Sequence, residues 1–469
     1  MNSNLKIRLD FNNMMADYIG EKEGFTENDI LSVRDKTEYA CNYLNANRGK
    51  GMIGWTELPY NQEEVIEDIL ATAEHIRKNY EYFVVLGIGG SALGPIAVFQ
   101  ALKHLHYNEL DKSARRGPKF YVEDNIDPER MKALLDIIDV KKTVFNVITK
   151  SGATSETMSQ YLVIADILKK ELGESYNKHI IATTSEEKGN LIKLARKENY
   201  KTFYIPEGVG GRFSELCPVG LLPAAVLNID IKELLKGAAF MLEQSNSLCP
   251  YQNPALMAAT LQYLAIQRGK NISVMMPYAD SLKYIADWYC QLWGESLGKS
   301  EDLEGNRVYA GQTPVKALGV TDQHSQVQLY TEGPFDKVIT IIALEEFRDD
   351  ILIPYGLEEF PDVNFLCGAT MGKLLNTERK ATEYALTKAN RLNFTISLPL
   401  INEFTIGQLL MLFMLKTAYC GAMLNIDTYN QPGVEEGKNA TYALFGRAGY
   451  EAKRKELTSA KKKSDKYII

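Results

Sequence analysis

Short apolar runs alternate with longer stretches of helical periodicity through the first half of the chain. Five runs rich in β-branched and aromatic residues predict strands: EYFVVLGI (81–88), KFYVED (119–124), TVFNVITK (143–150), KHIIATT (178–184) and TFYIP (202–206). Between them, apolar residues spaced three and four apart over 93–105, 129–138 and 157–171 predict helices. That alternation predicts βαβ units and a parallel sheet with helices on both faces. A second series of strands is expected from ISVMMPY near 272, through VQLYTEGP (327–334), to KVITIIAL (337–344). Helical patterns lead into it from about 231 and follow it to about 423. The fold class expected is α/β, two doubly wound, flavodoxin-like sandwiches with parallel-dominated sheets. The expected boundaries are an N-terminal helical segment 1–50, a first α/β domain 51–230, a second 231–425, and a C-terminal segment and helical tail 426–469.

Composition narrows the function classes. In 469 residues, 45% hydrophobic and 24% charged describe an ordinary globular chain, and the formal charge of −7 argues against a nucleic-acid partner. The six cysteines (41, 217, 249, 290, 367 and 420) are scattered with no CxxC pair, which reads as reduced thiols and a cytoplasmic location. The apolar run IGQLLMLFMLKTAYCGAML is interrupted by Gln408, Lys416 and Tyr419, so it reads as a buried helix, and no membrane partner is expected. The basic tail after Glu451 reads as a solvated terminal helix.

Candidate chemistry sits where strands end. In VVLGIGGSALGP, the glycines 87, 89 and 90 and then Ser91 lie between a strand and a helix. Backbone amides, a helix N-terminus and a hydroxyl there suit an anion. A dinucleotide is disfavoured because 105–113 (LHYNELDKS) reads as no strand ending in the Asp or Glu that would bind its ribose, although a plain structural turn remains open. A second loop, VITKSGATSETMSQYL (147–162), places Thr149, Lys150, Ser151 and Thr154 at another strand-to-helix junction. One such loop reads as an N-cap. Two loops on one sheet favour a shared phosphate site at the carboxyl ends of its strands.

IGGSALGP together with TKSGATSET resembles the sugar-isomerase domain, which binds phosphosugars. Three further segments are similar to those of the glucose-6-phosphate isomerase (phosphoglucose isomerase) family in its compact bacterial form: GVGGRFSELCPVGLLP (208–223), QLWGESLGKS (291–300) and YNQPGVEEGKNATYALFGR (429–447). TDQHSQVQLYTEGP (321–334) is similar to the family's histidine segment. The resemblance implies reversible isomerisation of glucose 6-phosphate to fructose 6-phosphate, in glycolysis and gluconeogenesis, by ring opening and proton transfer between C1 and C2.

It also implies roles. Glu295 is the base, and neighbouring Trp293 and Leu297 are expected to give its carboxylate an apolar setting; the alternative is a surface pair with Lys299 at i+4. His324 exchanges a proton with the sugar and reaches the site from the partner subunit of a homodimer. Lys438 assists at the ring oxygen. Arg212 holds the enediolate oxygens. Gln291, one helical turn before Glu295, holds the sugar. Gly90, Ser91, Thr149, Lys150, Ser151 and Thr154 hold the phosphate. The sequence departs from the family's pattern at Thr149, at Ala153 and at Glu215, which is expected to bring a negative charge near the anion site. No metal and no cofactor are expected, since isomerisation moves a proton and two electrons within one molecule. Rival readings are another phosphosugar or aminosugar enzyme on the same domain, and a non-catalytic phosphosugar-binding regulator.

Overall fold

The computed structural model describes residues 3–469; residues 1 and 2 of the expected N-terminal segment lie outside the described residues. Strand β1 (Arg8–Asp10) and several helices, Glu63–Asn79 the longest, precede the first sheet. That sheet takes β2 (Tyr82–Leu86), followed by helix α1 (Leu93–Leu102), then β3 (Lys119–Glu123) and β4 (Thr143–Ile148), followed by α2 (Ser155–Leu172), and finally β5 (Ile180–Thr184) and β6 (Lys201–Tyr204). Its order is β3-β2-β4-β5-β6, and every pairing is parallel. All six residues of β4 and all five of β5 are buried, which is why these strands read as continuous apolar runs rather than alternating ones. The strand order reverses between β2 and β4, and such a switch point opens a crevice at the carboxyl ends of the strands.

Helices α3 (Pro218–Val226) and α4 (Ile231–Gln244), with the helix Pro254–Gln267, lead into the second half. There β7 (Ile272–Pro277) is followed by α5 (Lys283–Leu297), a two-stranded hairpin β8 (Lys299–Glu301) and β9 (Arg307–Ala310), β10 (Thr313–Lys316), β11 (Lys337–Leu344) and β12 (Asn393–Leu398). The second sheet runs β1-β12-β11-β7-β10, parallel except for β1, which joins β12 antiparallel with Leu9 opposite Ile396. Helix α6 (Glu403–Met423) packs against α4, α5 and the helix Pro254–Gln267 and closes the core between the halves. It is long and apolar enough to cross a membrane, but 94% of its apolar window is buried inside the protein. Gln408 offsets the cost of its burial by bonding the backbone at Ile7 (3.1 Å) and Leu5 (2.8 Å). Helix α7 (Glu435–Leu444) and an exposed helix, Glu451–Ser459, end the chain.

One expected strand is a helix. VQLYTE forms the helix Val327–Glu332, in which only Tyr330 is fully buried and its hydroxyl donates to Gln326 Oε1 four residues back at 2.7 Å. Thr331 Oγ1 likewise bonds the carbonyl of Val327 at 2.8 Å, so the burial follows a helical turn and not strand alternation. The second sheet takes its remaining strands from TPVK, NFTISL and RLD. TPVK contains a proline and lies on the sheet edge, half-exposed, so it carries no apolar run.

Candidate active site

The two strand-end loops lie side by side because β2 and β4 are neighbours, Val84 standing opposite Phe145. After β2, the 3-10 turn Gly89–Ser91 leads into α1. Gly89 has φ +57°, and a side chain there would press on the Gln291 amide, so glycine serves both the turn and the close approach. After β4, Thr149 Oγ1 meets Thr154 Oγ1 at 3.1 Å and accepts from the Gly152 amide at 3.3 Å, while Ser151 Oγ accepts from the Ala153 amide at 3.2 Å. The Lys150 amine crosses to the Val209 carbonyl at 3.0 Å, and burial pulls its pKa down. The strand beside β2 does end in acids, Glu123 and Asp124, beyond residues 105–113. Both are engaged by Arg130, at 3.1 and 2.5 Å.

Helix α5 packs across α1 and so carries its polar face to the first of these loops. Gln291 Nε2 donates to Glu295 Oε1 at 3.2 Å, and Arg212 Nη1 donates to Glu295 Oε2, also at 3.2 Å. The Glu295 side chain is 34% exposed, whereas Arg212 is nearly buried at 4%. Arg212 is fixed on every side: Nε to Ser296 Oγ (2.7 Å), Nη1 to Gln431 Oε1 (2.9 Å), and Nη2 to the carbonyls of Thr428 (2.7 Å) and Asn430 (3.2 Å). Burial lowers its pKa and the Glu295 charge opposes that shift. Gln291 Oε1 is buried without a hydrogen-bond partner, an acceptor left open in the middle of the cluster. Trp293 and Leu297 turn into the core, so the carboxylate's neighbours are the guanidinium and an amide rather than the apolar pair expected.

Nor does Lys299 pair with the Glu295 carboxylate. Its buried amine donates to the backbone carbonyls of Glu295 (2.6 Å) and Ser296 (2.9 Å). Burial first, and Arg212 second, bring its pKa down to about 8. Glu215 also differs from expectation. Its carboxyl is buried with neither oxygen bonded, and burial holds its pKa well above the carboxylate range, so it enters as a neutral acid and not as a negative charge.

Among the described residues, neither His324 nor Lys438 makes a hydrogen bond or ion pair to the cluster. His324 is exposed at the end of the short 3-10 helix Thr321–His324. The Lys438 amine lies near the surface and pairs with Glu435 at 2.9 Å. The helix bearing it nevertheless docks on the second loop, since the Tyr442 hydroxyl donates to the Ala153 carbonyl at 3.2 Å. Sequence reasoning missed Gln431, Ser296 and the Thr428 and Asn430 carbonyls. Their signal was position alone: Ser296, Asn430 and Gln431 lie inside segments already singled out, and Thr428 immediately before one.

The fold and this cluster define an α/β enzyme of the sugar-isomerase type, and comparison with known proteins agrees. A crystal structure of a glucose-6-phosphate isomerase from Chlamydia trachomatis matches the fold with a TM-score of 0.79 at 20% identity, covering 92% of this chain and 89% of that one. A family model described as phosphoglucose isomerase matches residues 63–461, and the chain belongs to that family. It is 54% identical over 458 residues to the glucose-6-phosphate isomerase of Carboxydothermus hydrogenoformans, covering 98% of each. With the one from Rubrobacter xylanophilus it shares 45% over 402 residues, 85% of this chain and 90% of that one. A solved hypothetical protein from Thermus thermophilus superposes with a TM-score of 0.84 at 35% identity, covering 94% of this chain and 100% of that chain.

Proposed function

We propose that this protein interconverts glucose 6-phosphate and fructose 6-phosphate by ring opening and an enediolate-mediated proton transfer between C2 and C1. The observation that carries the reading is the Glu295 carboxylate held between Arg212 and Gln291, beside the Gly89 turn. The phosphate sits on Gly90, Ser91, Thr149, Lys150, Ser151 and Thr154, where amides and hydroxyls cluster at the ends of β2 and β4. Glu295 takes the C2 proton of the open-chain aldose and returns it to C1. Meanwhile the proton on O2 passes to O1, so the aldehyde becomes an alcohol and C2 becomes the ketone. Arg212 steadies the negative oxygens without giving up its own proton, because an immobile guanidinium needs no rearrangement when charge develops. Gln291 orients the sugar. Lys438 assists ring opening, joined by His324 from a second copy of the chain.

The homodimer is supported by the exposed position of His324 and by an apolar surface on the strap 351–371. There Tyr355 is 81% and Phe365 74% exposed, flanked by exposed Ile351, Leu352 and Phe360. The proposed domains are 51–230 around the first sheet, 231–425 around the second, 1–50 as an N-terminal segment that lends β1 to the second sheet, and 426–469 as the segment bearing Lys438. The proposed setting is the cytoplasm.

The test supplies fructose 6-phosphate to the purified protein in an assay coupled to glucose-6-phosphate dehydrogenase. NADPH should form with the wild type and fall by roughly 10³-fold or more with Glu295→Gln. No NADPH from the wild type refutes the reaction; equal rates for the two proteins refute Glu295 as its base.

A further inference from the structure

Glu215 is the most isolated acid in the fold. It is 1% exposed, and both carboxyl oxygens lack a hydrogen-bond partner. Its side chain fills the seam where α1 and α3 begin. A Cβ built on Gly94, in the first turn of α1, would overlap the Glu215 carboxyl group, and so would one built on Gly220, in the first turn of α3. The two glycines therefore make the space that the carboxyl occupies.

This seam is tied to the site at a second point. The backbone of Gly90 approaches that of Gly211 so closely that no side chain fits at position 90. Ser214 Oγ, which bonds the Gly211 carbonyl at 2.7 Å, also reaches across to the Gly90 carbonyl at 3.5 Å. Segments 89–94 and 211–220 are thus clamped at Gly90 against Gly211 and at Gly94 against Glu215. The first segment carries the phosphate loop and the second carries Arg212, both beside the Gly90–Gly211 contact.

We propose that Glu215 is a proton-carrying positioning residue: its uncharged carboxyl group is the spacer between α1 and α3, and loss of that proton to solvent spreads the seam and displaces the phosphate loop and Arg212 together.

The surroundings support a neutral acid. Neither α1 (LGPIAVFQAL) nor α3 (PVGLLPAAV) has an ionisable side chain. Arg212, three residues away, directs its donors to Glu295, Ser296, Gln431 and two carbonyls. Lys150 is committed to the Val209 carbonyl, and Arg77, on the helix Glu63–Asn79 packed against α3, to the Ala225 carbonyl. The Cys217 thiol is pushed up to about 12 by burial and stays protonated. Burial alone acts on Glu215, in the direction that keeps its proton. An ionised carboxylate in that place would have no donor to replace its lost water.

The sign of the linkage gives the test. A carboxyl that holds its proton above the ordinary glutamate value of 4.5 binds more protons folded than unfolded, so stability falls as pH rises past that value. Thermal unfolding of the wild type and of Glu215→Gln is followed between about pH 5 and about pH 9. The Tm advantage of Glu215→Gln should widen by several degrees as pH rises. Calorimetry with inorganic phosphate should show the wild type losing affinity relative to Glu215→Gln over the same range. Parallel Tm curves overturn the neutral spacer; a widening Tm gap with an unchanged affinity ratio overturns its link to the phosphate loop. If Glu215→Gln does not fold, infrared spectra decide. A protonated-carboxyl stretch in the wild type at neutral pH should be missing from Glu215→Met, and its absence from the wild type overturns the proposal. None of these readouts requires turnover, so they stand or fall apart from the isomerase reading.

Discussion

The Lys299 amine closes the end of α5 at the residue that bears the proposed base. By taking the carbonyls of Glu295 and Ser296 it satisfies acceptors that the helix leaves unpaired, and it leaves the Glu295 carboxylate free for Arg212. Lys299→Met is therefore expected to lower kcat roughly 10–100-fold while KM changes little, because Glu295 shifts relative to bound sugar. It should also cost about 1–3 kcal/mol of stability through the two orphaned carbonyls. Steady-state kinetics and denaturant unfolding read both; a raised KM with kcat intact contradicts the placement. At this scale the sequence singled out Gln291, Glu295 and Arg212, which the fold brings together, and was silent about what they touch. The i+4 spacing of Glu295 and Lys299 describes a carboxylate–amine pair as well as it describes a backbone cap. Only the burial of Lys299, fixed by tertiary packing, selects the cap. Arg212 could be singled out where its partners could not. Its segment is distinctive, whereas two of its acceptors are backbone carbonyls that no side-chain pattern reports.

Helix α6 shows what a fully buried element does to an ionisable group. Lys416 is completely buried beneath the rings of Tyr289, Trp293 and Phe394, at 5.1, 4.5 and 5.3 Å, and donates to the Tyr289 hydroxyl at 3.2 Å. Ring faces favour the cation, yet desolvation wins and brings its pKa down to about 7. A lysine depressed when folded binds fewer protons than when unfolded, so stability rises with pH from about 7 up to the ordinary value of 10.5. Lys416→Met should therefore stabilise the fold at pH 6 by an amount on the order of 2–5 kcal/mol, and the gain should shrink as pH approaches that of the free amine. Denaturant unfolding at acid and alkaline pH measures it; a gain independent of pH would show that burial does not depress the lysine's pKa. Buried strands and helices were the legible elements, since continuous apolar runs and long periodic segments have few other solutions. The edge strand TPVK and the short helix VQLYTE were not, because neither buries enough side chains to impose a period.

The molecule as a whole assembles its site from distant parts of the chain. The first sheet supplies the loops, α5 of the second half supplies Gln291 and Glu295, and the C-terminal segment closes over both through Gln431 and Tyr442. The two-sheet plan could be read from strand spacing; the convergence of its parts depends on α1 packing on α5, which no local pattern records. If His324 completes the site of a second copy, two damaged chains can repair each other. Mixing unfolded Glu295→Gln and His324→Ala chains and refolding them together should restore about a quarter of the wild-type sites, since half the random dimers then carry one intact site. No activity above that of the separate variants would place His324 with its own chain's Glu295, or outside the reaction.

The pairing of β1 with β12 also sets a schedule. Residues 8–10 leave the ribosome long before their partner at 393–398. At synthesis rates of about 5–20 residues per second, the first strand waits roughly 20–80 s for the strand it joins. For that interval Ile7, buried at 1% in the finished protein, has no core to enter, and Gln408, which will accept its amide, has not been made. The strand of this sheet made first is among the last to be secured.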